Sequence, residues 1–378
     1  MWRWNVCYYM AYNNELEYCL APDLRRLVAA HPCTGSTVFH FLIATRIGTR
    51  HVRLTGCLAR DVWDDDHYLV ESTSEPVHLA DPETLHNFIQ NAQHADPAQY
   101  YAIVYSGGGC ATYLHVEDPQ SEWDALTPQW ASLNREEQLS LARPYFLGIG
   151  SLRAVLERQK CDLLVFDCCI MASLESVYEL RNVTSYIVAC QEWQGVAGLG
   201  SDKVIGYFAD TQSTPYNVAI RLSDAYIKRT NDPSQLTLTD CVTTQRSCSV
   251  IQTSNLELLI RVIERLPTAQ ITLARQDPVW ISPLEEDQCA EADVYGVASK
   301  IRHTHPRLWR EFQHAFHEVV IANFTNFAVQ RAKRSRHGLS FKVTPYIDGW
   351  VGVVLYTELQ LPYRLAGGLL TPYENYSD

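Results

Sequence analysis

Short apolar runs recur through the first half of the sequence, and stretches with helical periodicity separate them. A continuous apolar strand is buried on both faces, which is typical of a mostly parallel sheet that helices cover on both sides. The sequence therefore predicts an α/β fold. The predicted strands are Asn5–Met10, Thr37–Ala44, Tyr101–Tyr105, Asp162–Phe166, Tyr186–Cys190 and the late Gly338–Val343. Helices are predicted after Asn13–Asn14, from the capping residue Asp81, and over Gly150–Gln159, Met171–Leu180, Tyr216–Arg229, Asn255–Leu266 and Trp309–Phe327.

Charge and composition exclude several classes of function. The formal net charge is -12, so the chain lacks the overall electrostatic signature of a nucleic-acid-binding protein. No run of about 18 apolar residues occurs, which excludes a membrane-spanning helix, and the N-terminus lacks a secretory signal. The 12 cysteines include the adjacent Cys168 and Cys169 but no CxxC motif, which argues against a disulfide framework and a zinc site. We expect a reduced protein in the cytoplasm or in an intracellular particle.

No cofactor and no metal site is predicted. The sequence contains no GxGxxG, P-loop or HExxH motif. Asp64–Asp66 is an acidic cluster that is too short for an EF-hand loop and is more often a solvated turn, so calcium binding stays open.

Two predicted strands are followed by residues that are candidates for an active site. Ser106–Gly109 follows one strand, and Asp167–Cys169 follows the next. Active sites of parallel α/β sheets collect at the carboxyl ends of strands. Cys169 is predicted to open a helix, whose N-terminus favours a thiolate and offers N–H groups to an oxyanion. The alternative is that Cys168 and Cys169 are small core residues, the commoner situation for free cysteine, and spacing alone slightly favours it.

Six segments match, in order along the chain, the motifs of a single family. Val6–Glu17 resembles the motif YMAADNNLE, Asp81–Ile89 resembles DPETLRDFI, and Tyr100–Tyr105 resembles the strand that leads to a histidine. Leu163–Glu175 resembles LLGFDACLMATLE, Tyr186–Glu192 with Gly198 resembles ASEE…G, and Gly338–Phe341 resembles GLSIYF. On these segments the chain resembles the clostripain-like cysteine peptidases, a branch of the caspase-like (clan CD) group. The resemblance is close to Phe208 and patchy to about Tyr356.

The resemblance implies a caspase–haemoglobinase-like three-layer sandwich. Residues 1–210 would form its α/β core, 211–360 the C-terminal part of the same fold, and 361–378 a tail. The resemblance also implies a dyad, in which a cysteine thiolate attacks the scissile carbonyl and a histidine protonates the leaving amine. Cys169 corresponds to the nucleophile, and such peptidases typically cut after Arg or Lys.

The chain departs from this pattern at the position of the histidine. The family's strand ends in His-Gly, whereas this chain has Ser106-Gly107-Gly108-Gly109. The alignment puts Gly107, or alternatively Gly108, where the histidine belongs. His115 is a candidate substitute base, although an ordinary strand histidine is the favoured interpretation. Weaker candidates are His78, His86 and His337.

Three acidic residues are candidates for binding a basic substrate side chain. They are Asp167, Glu192 and Asp202. For Glu192 and Asp202, capping of a loop is the favoured alternative.

Two functional hypotheses follow from the glycine. In the favoured one, the chain is a catalytically impaired pseudopeptidase that acts as a structural or protein-interaction subunit, for which a particle shell is one setting. In the other, it is an active endopeptidase that cleaves peptides after Arg or Lys, with Cys169 as nucleophile and a displaced histidine. A small-molecule enzyme on the same fold has no motif in its favour. Aromatic candidates for protein contacts are Trp2, Trp4, Trp63, Trp123, Trp130, Tyr373 and Tyr376.

Overall fold

A nine-stranded sheet forms the centre of the computed structural model, which describes residues 1–13, 36–45, 48–55, 69–73, 77–110, 113–116, 133–142, 144–192, 194, 198–199, 201–232, 246–267, 291–326 and 336–342. The strands are β1 (Trp2–Ala11), β2 (Thr37–Thr45), β3 (Gly48–Thr55), β4 (Leu69–Thr73), β5 (Ala98–Ser106), β6 (Gly108–Cys110), β7 (Tyr113–His115), β8 (Phe146–Gly148), β9 (Leu163–Asp167), β10 (Tyr186–Ala189), β11 (Ser247–Gln252), β12 (Glu291–Asp293), β13 (Val320–Thr325) and β14 (Ser340–Lys342). The order in the large sheet is β13-β11-β10-β9-β5-β1-β2-β3-β4.

The five central strands of this sheet are parallel, and antiparallel strands extend it at both edges. Among the described residues, two small sheets, β6-β7-β8 and β12-β14, lie beside it. The helices are α1 (Pro82–Ala95), α2 (Arg135–Ala142), α3 (Ile149–Leu156), α4 (Leu174–Glu179), α5 (Ser201–Ala209), α6 (Pro215–Thr230), α7 (Leu256–Ile263), α8 (Val294–Ser299) and α9 (Pro306–Val319).

Each face of the large sheet has its own hydrophobic core. Successive side chains of a strand point to opposite faces. In β1, Cys7 and Tyr9 join the core beneath α1, α3, α4, α7 and α9, while Val6 and Tyr8 join the core beneath α5 and α6. Because both faces are covered, the central strands are apolar throughout, and the predicted three-layer α/β sandwich is confirmed.

Several predicted elements differ from the structure in their extent. Asp81 caps α1 as predicted, since its carboxylate accepts a hydrogen bond of 2.9 Å from the Glu83 N–H. The helix predicted over Trp309–Phe327 is wrong in its second part. The helix ends at Val319 and the chain continues as β13, which pairs with β11. The β-branched residues at the start of β13 fit a strand, and pairing with β11 overrides the helical periodicity.

Some predicted features lie outside the described residues. They are the helix carrying Leu16–Leu27, the cluster Asp64–Asp66, and the tail 361–378. Among the helices that the structure describes, none has both the length and the apolarity needed to cross a membrane.

Candidate active site

The ends of β5 and β9 lie side by side at the carboxyl edge of the sheet. Ser106 pairs with Asp167 in the parallel register, and the Gly107 N–H donates to the Asp167 carbonyl oxygen at 3.4 Å. The hydroxyls of Tyr12 and Ser106 share a hydrogen bond of 2.9 Å, which ties the end of β1 to the same edge. The glycine run and the two adjacent cysteines therefore begin next to each other. This is expected where the carboxyl ends of two neighbouring parallel strands meet at one edge of the sheet.

The backbone at Gly107 leaves no room for a side chain. A Cβ atom at this position would lie 2.8 Å from the Ala11 carbonyl oxygen and 3.0 Å from the Tyr105 hydroxyl. The Tyr105 hydroxyl also donates a 2.9 Å hydrogen bond to the Gly108 carbonyl oxygen, which holds the turn. Any residue larger than glycine at this site would have to displace the end of β1 or the turn itself.

The two adjacent cysteines face different surroundings. Cys168 is only 2% exposed and belongs to the core. Its sulfur packs against Gly109, where an added Cβ would lie 2.7 Å from it. Cys168 is thus a small core residue, whereas Cys169 is half-buried.

The sulfur of Cys169 lies against the backbone of Gln194. The Gln194 N–H donates to this sulfur at 3.2 Å, and the Gln194 carbonyl oxygen lies 4.0 Å from it. Burial raises the pKa of the Cys169 thiol, and the charge of Asp167 adds to the rise. The Gln194 N–H and the charge of Arg246 act in the opposite direction without cancelling it. The thiol therefore holds its proton more firmly than an ordinary cysteine.

Cys169 does not open a helix, so the predicted help from a helix N-terminus is absent. Helix α4 begins only at Leu174, and the Ser173 hydroxyl caps it by accepting from the Ser176 N–H. Between strand and helix, Ile170 has a φ of 51°, a left-handed conformation that is strained for a β-branched residue. This kink is held because the Ile170 N–H donates to the Glu192 carbonyl oxygen at 3.1 Å.

Asp167 binds two residues that follow β10, Gln194 and Leu199. Its carboxylate accepts hydrogen bonds of 2.7 Å from the Gln194 side-chain amide and from the Leu199 N–H, and the Ser106 hydroxyl lies 3.5 Å away. Gly198 makes this approach possible, since it has a φ of 58° and an added Cβ would lie 2.7 Å from the carboxylate. Asp167 thus fixes the position of Gln194 above Cys169.

Glu192 is buried and paired within the chain. Its carboxylate forms an ion pair of 2.5 Å with Arg336 and accepts a hydrogen bond from the Ser247 hydroxyl. Burial raises the pKa of Glu192, and these two partners oppose the rise. The pair joins the loop after β10 to the segment before β14.

Two of the candidate histidines bind partners away from the sulfur of Cys169. The His86 ring contacts the Gln159 amide at 2.8 Å. The His337 ring contacts the buried Asp293 carboxylate at 2.8 Å and packs at a tilt against Tyr295, with ring centroids 4.3 Å apart. Within the described part of the chain, the hydrogen bonds of the Cys169 sulfur are those to Gln194.

The remaining candidates stay predictions. His115 ends β7, where its backbone pairs with Gly108, and Asp202 lies in α5. The side chains of both residues lie outside the described structure. His78 lies in the turn before α1, where its carbonyl oxygen accepts from the Asp81 N–H. The substrate-binding roles of Asp167, Glu192 and Asp202 also remain predictions.

Sequence reasoning missed two residues that shape the thiol's surroundings. Gln194 and Arg246 both lie outside the regular elements, and they act on the thiol from other parts of the chain. No spacing pattern in the sequence identifies a loop residue of this kind, because its role depends on a tertiary contact that only the structure reveals.

A thiol after one parallel strand, beside the end of its neighbour, is the arrangement of the caspase-like cysteine peptidases. The chain belongs to the clostripain family, whose model matches residues 9–306. No sequence among the curated proteins matches it.

Solved structures of related folds agree with this assignment. An inactive zymogen C11 protease from Parabacteroides distasonis is 16% identical, with a TM-score of 0.69 over 96% of this chain and 97% of that chain. A secreted C11 cysteine protease from Bacteroides thetaiotaomicron, in complex with an irreversible peptide inhibitor, is 17% identical, with a TM-score of 0.67 over 90% of this chain and 92% of that chain. At this level of identity the similarity shows the fold alone.

Proposed function

We propose that this chain is a catalytically impaired member of the clostripain family, which acts as a structural or protein-interaction subunit. The observation that carries the proposal is the glycine at the end of β5. The sequence resemblance puts Gly107, or alternatively Gly108, at the position of the family's histidine, and a Cβ at Gly107 would lie 2.8 Å from the Ala11 carbonyl oxygen. Glycine offers no group that accepts or donates a proton, and loss of one member of a catalytic unit typically costs several orders of magnitude in turnover.

The surroundings of Cys169 support the same proposal. A peptidase nucleophile reacts as the thiolate, which needs a neighbouring base, a positive charge or a helix N-terminus. Here burial raises the pKa of the thiol in spite of Arg246, and α4 begins too late to help. In addition, Asp167 holds the Gln194 side chain, and the Gln194 backbone N–H lies against the sulfur.

Aromatic side chains give little support to an interaction role. Trp4 is fully buried and packs against Tyr100 and Phe208, while the Trp2 indole N–H donates to Asp96 at 3.0 Å. These two are parts of the fold rather than a contact surface. Trp63, Trp123, Trp130, Tyr373 and Tyr376 lie outside the described residues, and a partner or particle remains part of the proposal.

The experiment compares cleavage of fluorogenic peptides ending in Arg or Lys by the wild-type chain, Cys169→Ala and Cys168→Ala. The matched control is Cys168→Ala, because the family motif carries alanine at that position. We expect that neither wild type nor Cys168→Ala cleaves above the background set by Cys169→Ala. If wild type and Cys168→Ala cleave the peptides and Cys169→Ala does not, the competing hypothesis of an active endopeptidase is established. Light scattering on the purified chain tests the assembly role, for which a strictly monomeric state at micromolar concentration counts against a self-assembling shell.

A further inference from the structure

A pocket opens at the edge of the large sheet where the parallel strands begin. Cys161 lies shortly before β9, Tyr186 begins β10, and Gln252 ends β11. Because β11 runs antiparallel to β10, its last residue meets the first residue of β10, and Gln252 pairs directly with Tyr186. The cavity has a volume of about 550 Å³, within the range of small-molecule sites. This amino-edge pocket is separate from the Cys169 site, which lies at the carboxyl edge of the same strands.

Hydrogen bonds within the chain fix the floor of the amino-edge pocket. The Thr253 hydroxyl donates to the Thr184 carbonyl oxygen, and the Thr253 N–H donates to the Ser185 carbonyl oxygen at 3.2 Å. The Thr184 hydroxyl donates to the Tyr186 carbonyl oxygen at 3.1 Å and accepts from the Cys161 thiol at 3.6 Å. Both threonines are buried. These bonds tie the start of β10 to the residues after β11, so the fold itself sets the shape of the pocket.

The charge that the pocket carries is already balanced. Among the described residues that line it, Arg181 bears a charge. Its Nε donates to the Glu257 carboxylate at 2.8 Å, and its Nη1 donates to the Tyr178 carbonyl oxygen at 2.7 Å. The guanidinium also lies over the Tyr178 ring, 3.8 Å from its centroid. The guanidinium is thus held in place with its charge paired, and it keeps the Nη2 group as a donor, which favours an uncharged ligand.

Uncharged polar side chains of the pocket remain available to a ligand. Asn182 and Ser185 are exposed, and within the described part of the chain their side chains have no hydrogen-bonding partner. The Gln252 amide donates to the Ser254 hydroxyl at 3.1 Å, which leaves the Gln252 Oε1 as an acceptor. Amides and hydroxyls both donate and accept, as the hydroxyls of a polyol do. Since most small-molecule sites are lined chiefly by apolar groups, this polar lining suits a ligand that carries hydrogen-bonding groups over most of its surface.

An aromatic wall adds an apolar face to the polar lining. The Tyr186 ring lines the pocket, and Tyr216 packs edge-on against it, with ring centroids 6.2 Å apart. Tyr216 is 46% exposed. A tyrosine ring offers an apolar surface beside a polar group, and a sugar ring matches it, with C–H groups on its faces and hydroxyls around its rim.

We propose that the amino-edge pocket binds a neutral saccharide of one or two rings. The amides of Asn182 and Gln252 and the Nη2 group of Arg181 bind its hydroxyls, and the Tyr186 ring covers its C–H face. This binding requires neither Cys169 nor a histidine, so it goes beyond the proposed loss of peptidase activity and is tested apart from it.

The test titrates the full-length chain with saccharides, using calorimetry and saturation-transfer difference NMR. The neutral probes are glucose, galactose, mannose, N-acetylglucosamine, maltose, cellobiose and lactose. The anionic probes are glucuronic acid, inorganic phosphate and a peptide with a free C-terminal carboxylate. We expect at least one neutral saccharide to bind with a Kd of about 1 mM or below, and each anionic probe to bind at least about tenfold more weakly than that saccharide.

Variants of the lining locate the binding. Asn182→Ala and Gln252→Ala should each weaken the binding about three- to tenfold, through the loss of one or two hydrogen bonds, and the double variant should weaken it further. The matched control is Asn87→Ala, because Asn87 is an exposed amide on α1 that does not line the pocket, and its Kd should equal that of wild type. Since the Asn182 side chain makes no hydrogen bond in the described structure, Asn182→Ala should keep the wild-type Tm, which separates lost binding from lost folding.

Three results would overturn the proposal. The first is the absence of binding by every neutral saccharide. The second is an unchanged Kd in the double variant, which would place the binding elsewhere. The third is a preference for an anionic probe, which would make Arg181 the centre of an anion site. A soluble polymer of the best-bound sugar, added as a competitor, distinguishes a free saccharide from the end of a polysaccharide, and either source supports the proposal.

Discussion

The reactivity of Cys169 as a function of pH tests the structure of the site most directly. An ordinary thiol, with a pKa near 8.5, is about 3% thiolate at pH 7. Because burial raises the pKa of Cys169, its thiolate fraction at pH 7 falls below that value. A fully ionised nucleophile would react at least about thirty times faster at the same intrinsic reactivity. The rate for Cys169 should instead rise about tenfold per pH unit from pH 7 to pH 9, since the thiolate fraction does so below the pKa.

The assay is alkylation of the native chain by limiting iodoacetamide, with the Cys169 peptide quantified by mass spectrometry. The same peptide in the denatured chain provides the ordinary thiol as an internal reference. We expect the native rate to lie below the denatured rate at every pH up to 9. A native rate that is constant between pH 6 and pH 8 would mean a preformed thiolate, and it would refute both the electrostatic argument and the loss of a catalytic dyad.

Three further predictions concern the fold around the site. Gly107→His should lower the free energy of unfolding by about 1–3 kcal/mol, as overpacking does, and should yield no cleavage of Arg or Lys peptides; a gain of cleavage would contradict the proposed block by β1. His40, whose pKa burial lowers from 6.5 to about 4 beside Asp96, binds its proton less well folded than unfolded. Stability should therefore fall as the pH drops from about 6.5 to 4, by up to about 3 kcal/mol, and urea titrations of His40→Asn should show a flatter profile. Arg336→Met should cost about 3–5 kcal/mol, because it leaves Glu192 buried without its charged partner; the double variant with Glu192→Gln should unfold at a higher urea concentration than the single one, and equal midpoints would contradict this coupling.

The central strands were predictable because burial on both faces leaves a continuous apolar run, as in Asn5–Met10. The position of Cys169 beside the glycine run was predictable for a related reason, since parallel strands end at one edge. The edge strand β13 was not predictable, because its sequence continues the apolar pattern of α9 and only pairing with β11 makes it a strand. The start of α4 was misjudged because Ser173, rather than a residue nearer the strand, caps the helix.

Two separate features of the structure oppose nucleophilic reaction at Cys169, and this limits how the site can be reversed. The loop carrying Gln194 reaches the sulfur because Asp167 binds both the Gln194 amide and the Leu199 N–H. The missing side chain at Gly107 depends separately on the close approach of Ala11. A histidine placed at Gly107 therefore leaves the Gln194 backbone against the sulfur, and displacing Gln194 alone leaves no imidazole at position 107. Under the proposal of a lost dyad, each change alone restores only one of two requirements, so we expect that recovery of peptidase activity needs changes both at the end of β1 and at Gln194.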